Sequence, residues 1–425
     1  MTHARRLTTA ALLAGLFAGS GAFAAERDRA LYDAAAAQQD AVIGTLETLV
    51  KIESGSADRA GLEKIAAYLG DRLRALGATV QTIPSATEGG VGLVQGTLKG
   101  KGTLRIMLIA HTDTVYDSGI LAREPYRREG NLLYGPGIAD DKGGIAVILH
   151  ALGLLRERGW KDYAQVTVVF NPDEEIGSRG SGEAIATLAD QHDVVLSFEP
   201  SPAKAVIKAE GVLLAAAGTS EVRMTVAGRA SHAGAAPEQG RNALVELSHQ
   251  ILRTQDIAKD VSGTQLNWTT ATAGSVRNQI PDTAEAGGDV RVTEPDANER
   301  LLAALQAKVA DGALVPDTAT TVELIPRRPM YVAGERGRAL ADLASRIYGE
   351  LDGRKLLMHP TTNGGTDAGF AGRSGKAAVL EGLGLAGWGY HAKDEFIEID
   401  SIAPRLYLAS RMLIELGRHP VAKAR

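Results

Sequence analysis

Short apolar runs rich in β-branched residues recur at 103–110, 165–171, 193–198 and 377–381, and helical segments such as 142–158 and 182–191 lie between them. Strands apolar on both faces must be covered on both, so a chain that alternates them with helices is confined to a sheet with helices packed on each side. Ahead of the first run, 25–52 and 60–76 show helical apolar spacing, the second stopped by Gly77 as a C-cap. From about 219 to 329 the rhythm changes to strand (220–226), helix (241–255), strand (264–273), strand (284–292), helix (296–310) and strand (318–325). That βαββαβ order is the ferredoxin-like split motif. The α/β rhythm resumes with a helix at 336–350 and closes with one near 403–416. The expected fold is a three-layer α/β/α unit made of 25–217 and 330–425, with a ferredoxin-like α+β unit inserted at 218–329.

In open α/β sheets, reactive groups gather beyond the carboxyl ends of the strands. Here the 103–110 run leads into His111-Thr112-Asp113, the 165–171 run into Asp173-Glu174-Glu175, and the 193–198 run into Glu199. A glycine-rich turn starting at Tyr134 carries Asp140 and Asp141 to the head of a helix, and His391 follows the 377–381 run. Each piece is ordinary alone: a loop histidine, a solvated acidic pair, a helix cap. Together they place two histidines and at least four carboxylates on one sheet edge, and so many acids cannot ionise side by side without a cation.

The chain has no cysteine, so such a cation would be held by nitrogen and oxygen alone. Histidine with carboxylate suits zinc, with cobalt or manganese as second choices. Two histidines and three carboxylates exceed the needs of one tetrahedral ion, which points to two ions about 3.5–4 Å apart sharing a carboxylate. One acid is then left unligated as general base.

Other readings fail on context. With 46 basic against 51 acidic side chains, a net charge of -5 and no basic run, nucleic acid is not an expected partner. Gly382-Leu383-Gly384-Leu385-Ala386-Gly387 fits a dinucleotide pattern, but 388–391 leave no room for the helix that must open behind it. His150, His249 and His419 fall in or beside helices, and His192 and His359 have no companion carboxylate cluster. At the start of the chain, Arg5 and Arg6 precede an apolar stretch at 7–18, and Ala22-Phe23-Ala24 supplies a cleavage signal. A signal peptide at 1–24 is expected, with the protein periplasmic or secreted and without a membrane span.

The inserted unit carries a polar set of its own: His232 in Ser231-His232-Ala233-Gly234, Asn278 before Gln279, and Arg291. Together a histidine, an asparagine and an arginine could polarise a carbonyl and bind a carboxylate.

These residues resemble the di-zinc aminoacylase/carboxypeptidase family of metallopeptidases, and within it the bacterial glutamate carboxypeptidases of the carboxypeptidase G group, which cleave folates. The resemblance is carried by His111-Thr112-Asp113, Tyr134 to Gly144, Asp173-Glu174-Glu175, Ser197-Phe198-Glu199-Pro200, Ala230 to Pro237, Gly364-Gly365-Thr366-Asp367 and Gly389-Tyr390-His391. It implies that His111 and Glu199 bind one zinc, Glu175 and His391 a second, and Asp140 both. It further implies Glu174 as general base and proton shuttle, and Asp113 as the residue that orients His111. His232 would reach from a partner subunit to the oxyanion, making a homodimer part of the mechanism. Asn278 and Arg291 match positions that bind the substrate's free carboxylate, with Arg328 and Thr366 as further candidates. Between Pro200 and Thr219 the chain departs from the group's pattern, and Lys208, the candidate there for a glutamate side chain, falls in that stretch.

The resulting expectation is hydrolysis that frees a C-terminal amino acid, glutamate for preference, from an N-acyl or peptidyl substrate. The same chemistry on another N-acyl amino acid or a dipeptide, and a non-catalytic binding protein on the same scaffold, are the alternatives. The presence of the base together with all five ligands argues against the last.

Overall fold

The computed structural model describes residues 27–419, so the expected signal peptide lies outside the described residues. Six strands form the main sheet, in the order Thr79–Ile83, Leu93–Lys99, Gln165–Asn171, Arg105–His111, Val194–Ser197, Ala378–Leu380. The last four are mutually parallel and the first two join antiparallel. Every residue of Gln165–Asn171 and of Val194–Ser197 is buried, so both faces of the sheet are covered. Lys142–Glu157 packs on Arg105–His111, and Arg59–Ala75 on Leu93–Lys99. Parallel pairing brings the ends of Arg105–His111, Gln165–Asn171 and Val194–Ser197 to one edge, which is what assembles the site.

Two of these strands escape the sequence reading. Thr79–Ile83 is an edge strand with mostly exposed side chains, and Leu93–Lys99 is interrupted by Gln95 and Gly96, so neither presents an apolar run. At Gly96 the strand packs close under the covering helix, where a Cβ would stand 2.9 Å from the Leu73 side chain. The stretch at 25–52 is two helices, Arg29–Ala37 and Gln39–Val50, meeting at Gln38.

The inserted sheet is wholly antiparallel, in the order Thr264–Ala273, Thr283–Val292, Gly218–Ala227, Ala319–Arg328. Burial alternates along Gly218–Ala227 because only one face meets the helices Ala243–Thr254 and Ala297–Ala310. Val222, Met224, Val290, Leu301 and Leu305 form part of an apolar core separate from the larger one. The chain enters and leaves this unit through Ala215–Ala216 and Tyr331–Val332, which pair with each other.

The divergent stretch after Pro200 is anchored rather than loose. Buried Glu210 accepts from Arg405 Nε at 3.0 Å and from the Tyr348 hydroxyl at 2.5 Å. A five-stranded sheet (Arg127–Glu129, Leu132–Tyr134, Phe396–Glu398, Ala386–Trp388, Ser201–Pro202) ties the glycine-rich turn to the segment that presents His391. No helix among the described residues is long and apolar enough to cross a membrane.

Candidate metal centre

His111 ends its strand, and its ring is held on both sides. Nε2 lies 2.8 Å from Asp140 Oδ1 and 3.6 Å from Glu199 Oε1, while Nδ1 lies 3.1 Å from the Asp113 carbonyl and 3.3 Å from Asp113 Oδ1. Asp113 is fully buried, and its carboxylate accepts the backbone N–H groups of Glu174 (3.0 Å) and Glu175 (3.1 Å) and the Ser56 hydroxyl (2.7 Å). One carboxylate thus sets the histidine and the acidic turn together. On the other side, His391 Nε2 lies 3.0 Å from Glu175 Oε2 and 3.3 Å from Asp140 Oδ2. Two donor sets result, His111/Asp140/Glu199 and Asp140/Glu175/His391, each with its ligand atoms within 4.8 Å of one another and Asp140 common to both.

The turn bearing Asp140 is fastened by a residue the sequence reading passed over. Buried Glu395 accepts the N–H groups of Gly137 (2.9 Å), Ala139 (2.8 Å) and Asp140 (3.0 Å), and the Tyr116 hydroxyl at 2.8 Å. Asp141 accepts the His111 N–H at 3.3 Å. The only hint of these roles in the sequence is acidic density near the motifs, which does not tell a fastening carboxylate from a ligand.

Charge is badly balanced in this cluster. Burial, then the neighbouring Asp140, push the Glu199 carboxyl well above its usual range. Burial opposes ionisation of Asp140 too, yet hydrogen bonds from His111 and His391 hold it low. Hydrogen bonds to Asp140 and Glu175 raise His391 to about 10. Carboxylates that draw protons onto both imidazoles form a donor set suited to divalent cations, with nitrogen and oxygen as the only ligand types.

Glu174 belongs to neither donor set. It is buried beside them, and burial pushes its carboxyl up to about 8 against the pull of Arg328. Arg328 Nη1 lies 2.6 Å from Glu174 Oε1, and Nη2 donates to the Glu174 carbonyl.

Comparisons with known proteins place the chain in a family. The model of Peptidase family M20/M25/M40 matches residues 107–415, spanning every motif around the two donor sets. The chain belongs to peptidase family M20/M25/M40. It is a hydrolase of that family. It is 44% identical over 413 residues to carboxypeptidase G2 of Pseudomonas sp. (strain RS-16), covering 97% of this chain and 98% of that one. Among solved structures, the aminopeptidase PepT of Bacillus cereus superposes with a TM-score of 0.69 at 20% identity, covering 89% of this chain and 98% of that one. The M20 family metallo-carboxypeptidase Sso-CP2 of Sulfolobus solfataricus gives 0.67 at 17%, covering 88% and 98%. These two likenesses concern the fold.

Within this M20 chain, the substrate candidates divide. Arg291, Arg328 and Thr366 line a cavity of about 1200 Å³ together with Asp140, Glu174, Glu175, Glu199 and His391. Arg291 donates to Asp289 at 2.8 Å, and Thr366 donates to buried Glu381. His232 and Asn278 do not line the cavity; both are exposed, and they adjoin each other through the Ala233 N–H to Asn278 carbonyl bond of 2.9 Å. Lys208 is exposed and also stands outside the lining. As expected, no helix opens behind Gly387; the chain forms the strand Ala386–Trp388 instead.

Proposed function

We propose that this protein is a two-metal exopeptidase that releases a C-terminal amino acid, preferentially glutamate, from N-acyl or peptidyl substrates bearing a free carboxylate. The observation that carries the reading is a pair of donor sets sharing Asp140, with the unligated Glu174 buried beside them. Near-complete coverage by a carboxypeptidase supports C-terminal cleavage.

His111, Asp140 and Glu199 would hold one ion and Asp140, Glu175 and His391 the other, zinc by the chemistry of the donors and cobalt or manganese as substitutes. When bound, the ions supply a Lewis acid for the scissile carbonyl and lower the pKa of water. Glu174 takes the proton of the attacking water on its carboxylate and delivers it to the leaving amine nitrogen. Asp113 fixes the ring of His111 and, through the two N–H groups it accepts, the position of Glu174. Arg291, Arg328 and Thr366 bind the substrate's carboxylate from the cavity wall, and Asn278 from the inserted unit.

The protein acts as a homodimer in this reading. His232 Nδ1 accepts the N–H groups of Gly234 and Ala235, both at 3.1 Å, so Nε2 is left as the donor to an oxyanion. It stands outside its own chain's cavity, and Leu244, Val245 and Leu252 expose an apolar face on the helix Ala243–Thr254, beside the open outer edge of Thr264–Ala273. Segments 25–217 and 330–425 form the catalytic domain and 218–329 the dimerising one. The basic pair, apolar stretch and cleavage signal of 1–24 direct export to the periplasm or beyond.

The test is hydrolysis of N-acyl-glutamate, N-acyl-aspartate and N-acyl-leucine before and after chelation. Glutamate should be cleaved fastest, with activity lost to chelator and restored by zinc. Indifference to chelation would refute the metal reading.

A further inference from the structure

The cavity wall carries four arginines, and three already have partners. Arg291 donates to Asp289, Arg327 to Glu221, and Arg328 to Glu174. Arg179 lines the same cavity and forms no hydrogen bond or ion pair with any described residue. Its charge is felt by Glu221, which Arg327 already holds.

Its backbone, by contrast, is fixed from both sides. The Ser178 N–H donates to the Asp173 carbonyl at 2.7 Å and the Gly180 N–H to Asp173 Oδ2 at 2.6 Å. The Ser178 hydroxyl donates to Asp367, which also accepts from Asn171 Nδ2 at 2.7 Å. These bonds fasten the turn that continues from Glu174 and Glu175. A guanidinium without a partner among the described residues, carried on a fastened turn that lines the cavity, is available to pair with an anion there.

We infer that Arg179 is a specificity-determining residue that binds the side-chain carboxylate of the leaving amino acid. This rests on the function proposed above and names the group that gives it its acidic preference, a role Lys208 cannot fill from outside the cavity. A planar guanidinium grips a carboxylate through two parallel N–H bonds, and a neutral amide of the same shape satisfies only one of them without charge.

The experiment compares kcat/KM for N-acyl-glutamate and N-acyl-glutamine in the wild type and in Arg179→Met, Arg179→Gln and Arg179→Lys, with metal content measured on each. The wild type should favour glutamate, and in Arg179→Met and Arg179→Gln the glutamate-to-glutamine ratio should fall about 30-fold, or about 2 kcal/mol, chiefly through KM for glutamate. Arg179→Lys should recover part of it. A ratio that stays put, a parallel loss on both substrates, or a wild type indifferent to the side-chain charge would overturn the assignment. A wild type that cleaves neither these amides nor N-acyl-aspartate and N-acyl-leucine would instead remove the function on which it rests.

Discussion

The edge of the main sheet and the inserted unit both carry candidate site residues, but they hold them differently. At the sheet edge His111, Asp113, Asp140 and Glu174 are buried and cross-braced by backbone N–H groups, so their positions follow from the fold of one chain. On the inserted unit His232 and Asn278 are exposed and stand outside the lining of that chain's own cavity. Among the described residues, Arg328, at the end of Ala319–Arg328, reaches from the insert to the acidic turn by an ion pair with Glu174. The contrast teaches that one chain braces its own donor sets, whereas His232 and Asn278 need the second subunit proposed above to meet a cavity, with the Ala215–Ala216 and Tyr331–Val332 pair linking the two units.

The largest expected effect breaks the rigid half. Asp140→Asn removes the shared carboxylate, and should cost both ions and about 1000-fold or more in kcat/KM, read by metal analysis and initial rates. Next comes the proposed completion in trans. His232→Ala should lower kcat by about 100- to 1000-fold with metal content intact. Mixing it with a Glu174→Gln chain under subunit exchange should restore about a quarter of wild-type activity, since one site in each hybrid is whole. No recovery would place His232 in its own subunit's site or outside catalysis.

Asp113→Asn sharpens the comparison at a lower level. The ring of His111 loses its orienting carboxylate, and metal affinity should fall about 10- to 100-fold, measured by competition with a chelator.

The last effect, on stability and not on activity, lies away from both regions. Burial, then the charge of Arg72, lower His150 from 6.5 to about 4, and the ring is bonded to Thr45 and Gln38 while neutral. The unfolded chain therefore binds a proton near pH 6.5 that the native state refuses. The contribution of this site is intact above pH 6.5 and is lost as pH falls toward 4, by up to about 3 kcal/mol. His150→Leu should flatten that part of the denaturation profile.

The same contrast marks what could be read from sequence. Buried parallel strands write themselves as apolar runs, and since their ends share an edge, His111, Glu174, Glu175 and Glu199 could be brought together without coordinates. The βαββαβ order of the insert was legible from the change in the rhythm of its strands and helices. Thr79–Ile83 and Leu93–Lys99 were not, because edge exposure and a glycine fitted against Leu73 erase the pattern. Nor was the bracing by Glu395 or the partnerless state of Arg179, since both depend on which atoms meet rather than on residue type.

The central claim is that two ions sit in the donor sets joined by Asp140 while Glu174 moves the proton. Glu174→Gln, assayed together for bound metal and for turnover, tests it most directly. The account predicts two ions per chain, as in the wild type, and a kcat lower by about 100- to 10,000-fold with KM little changed. Fewer than two ions in the wild type, or turnover that survives the substitution, would contradict it.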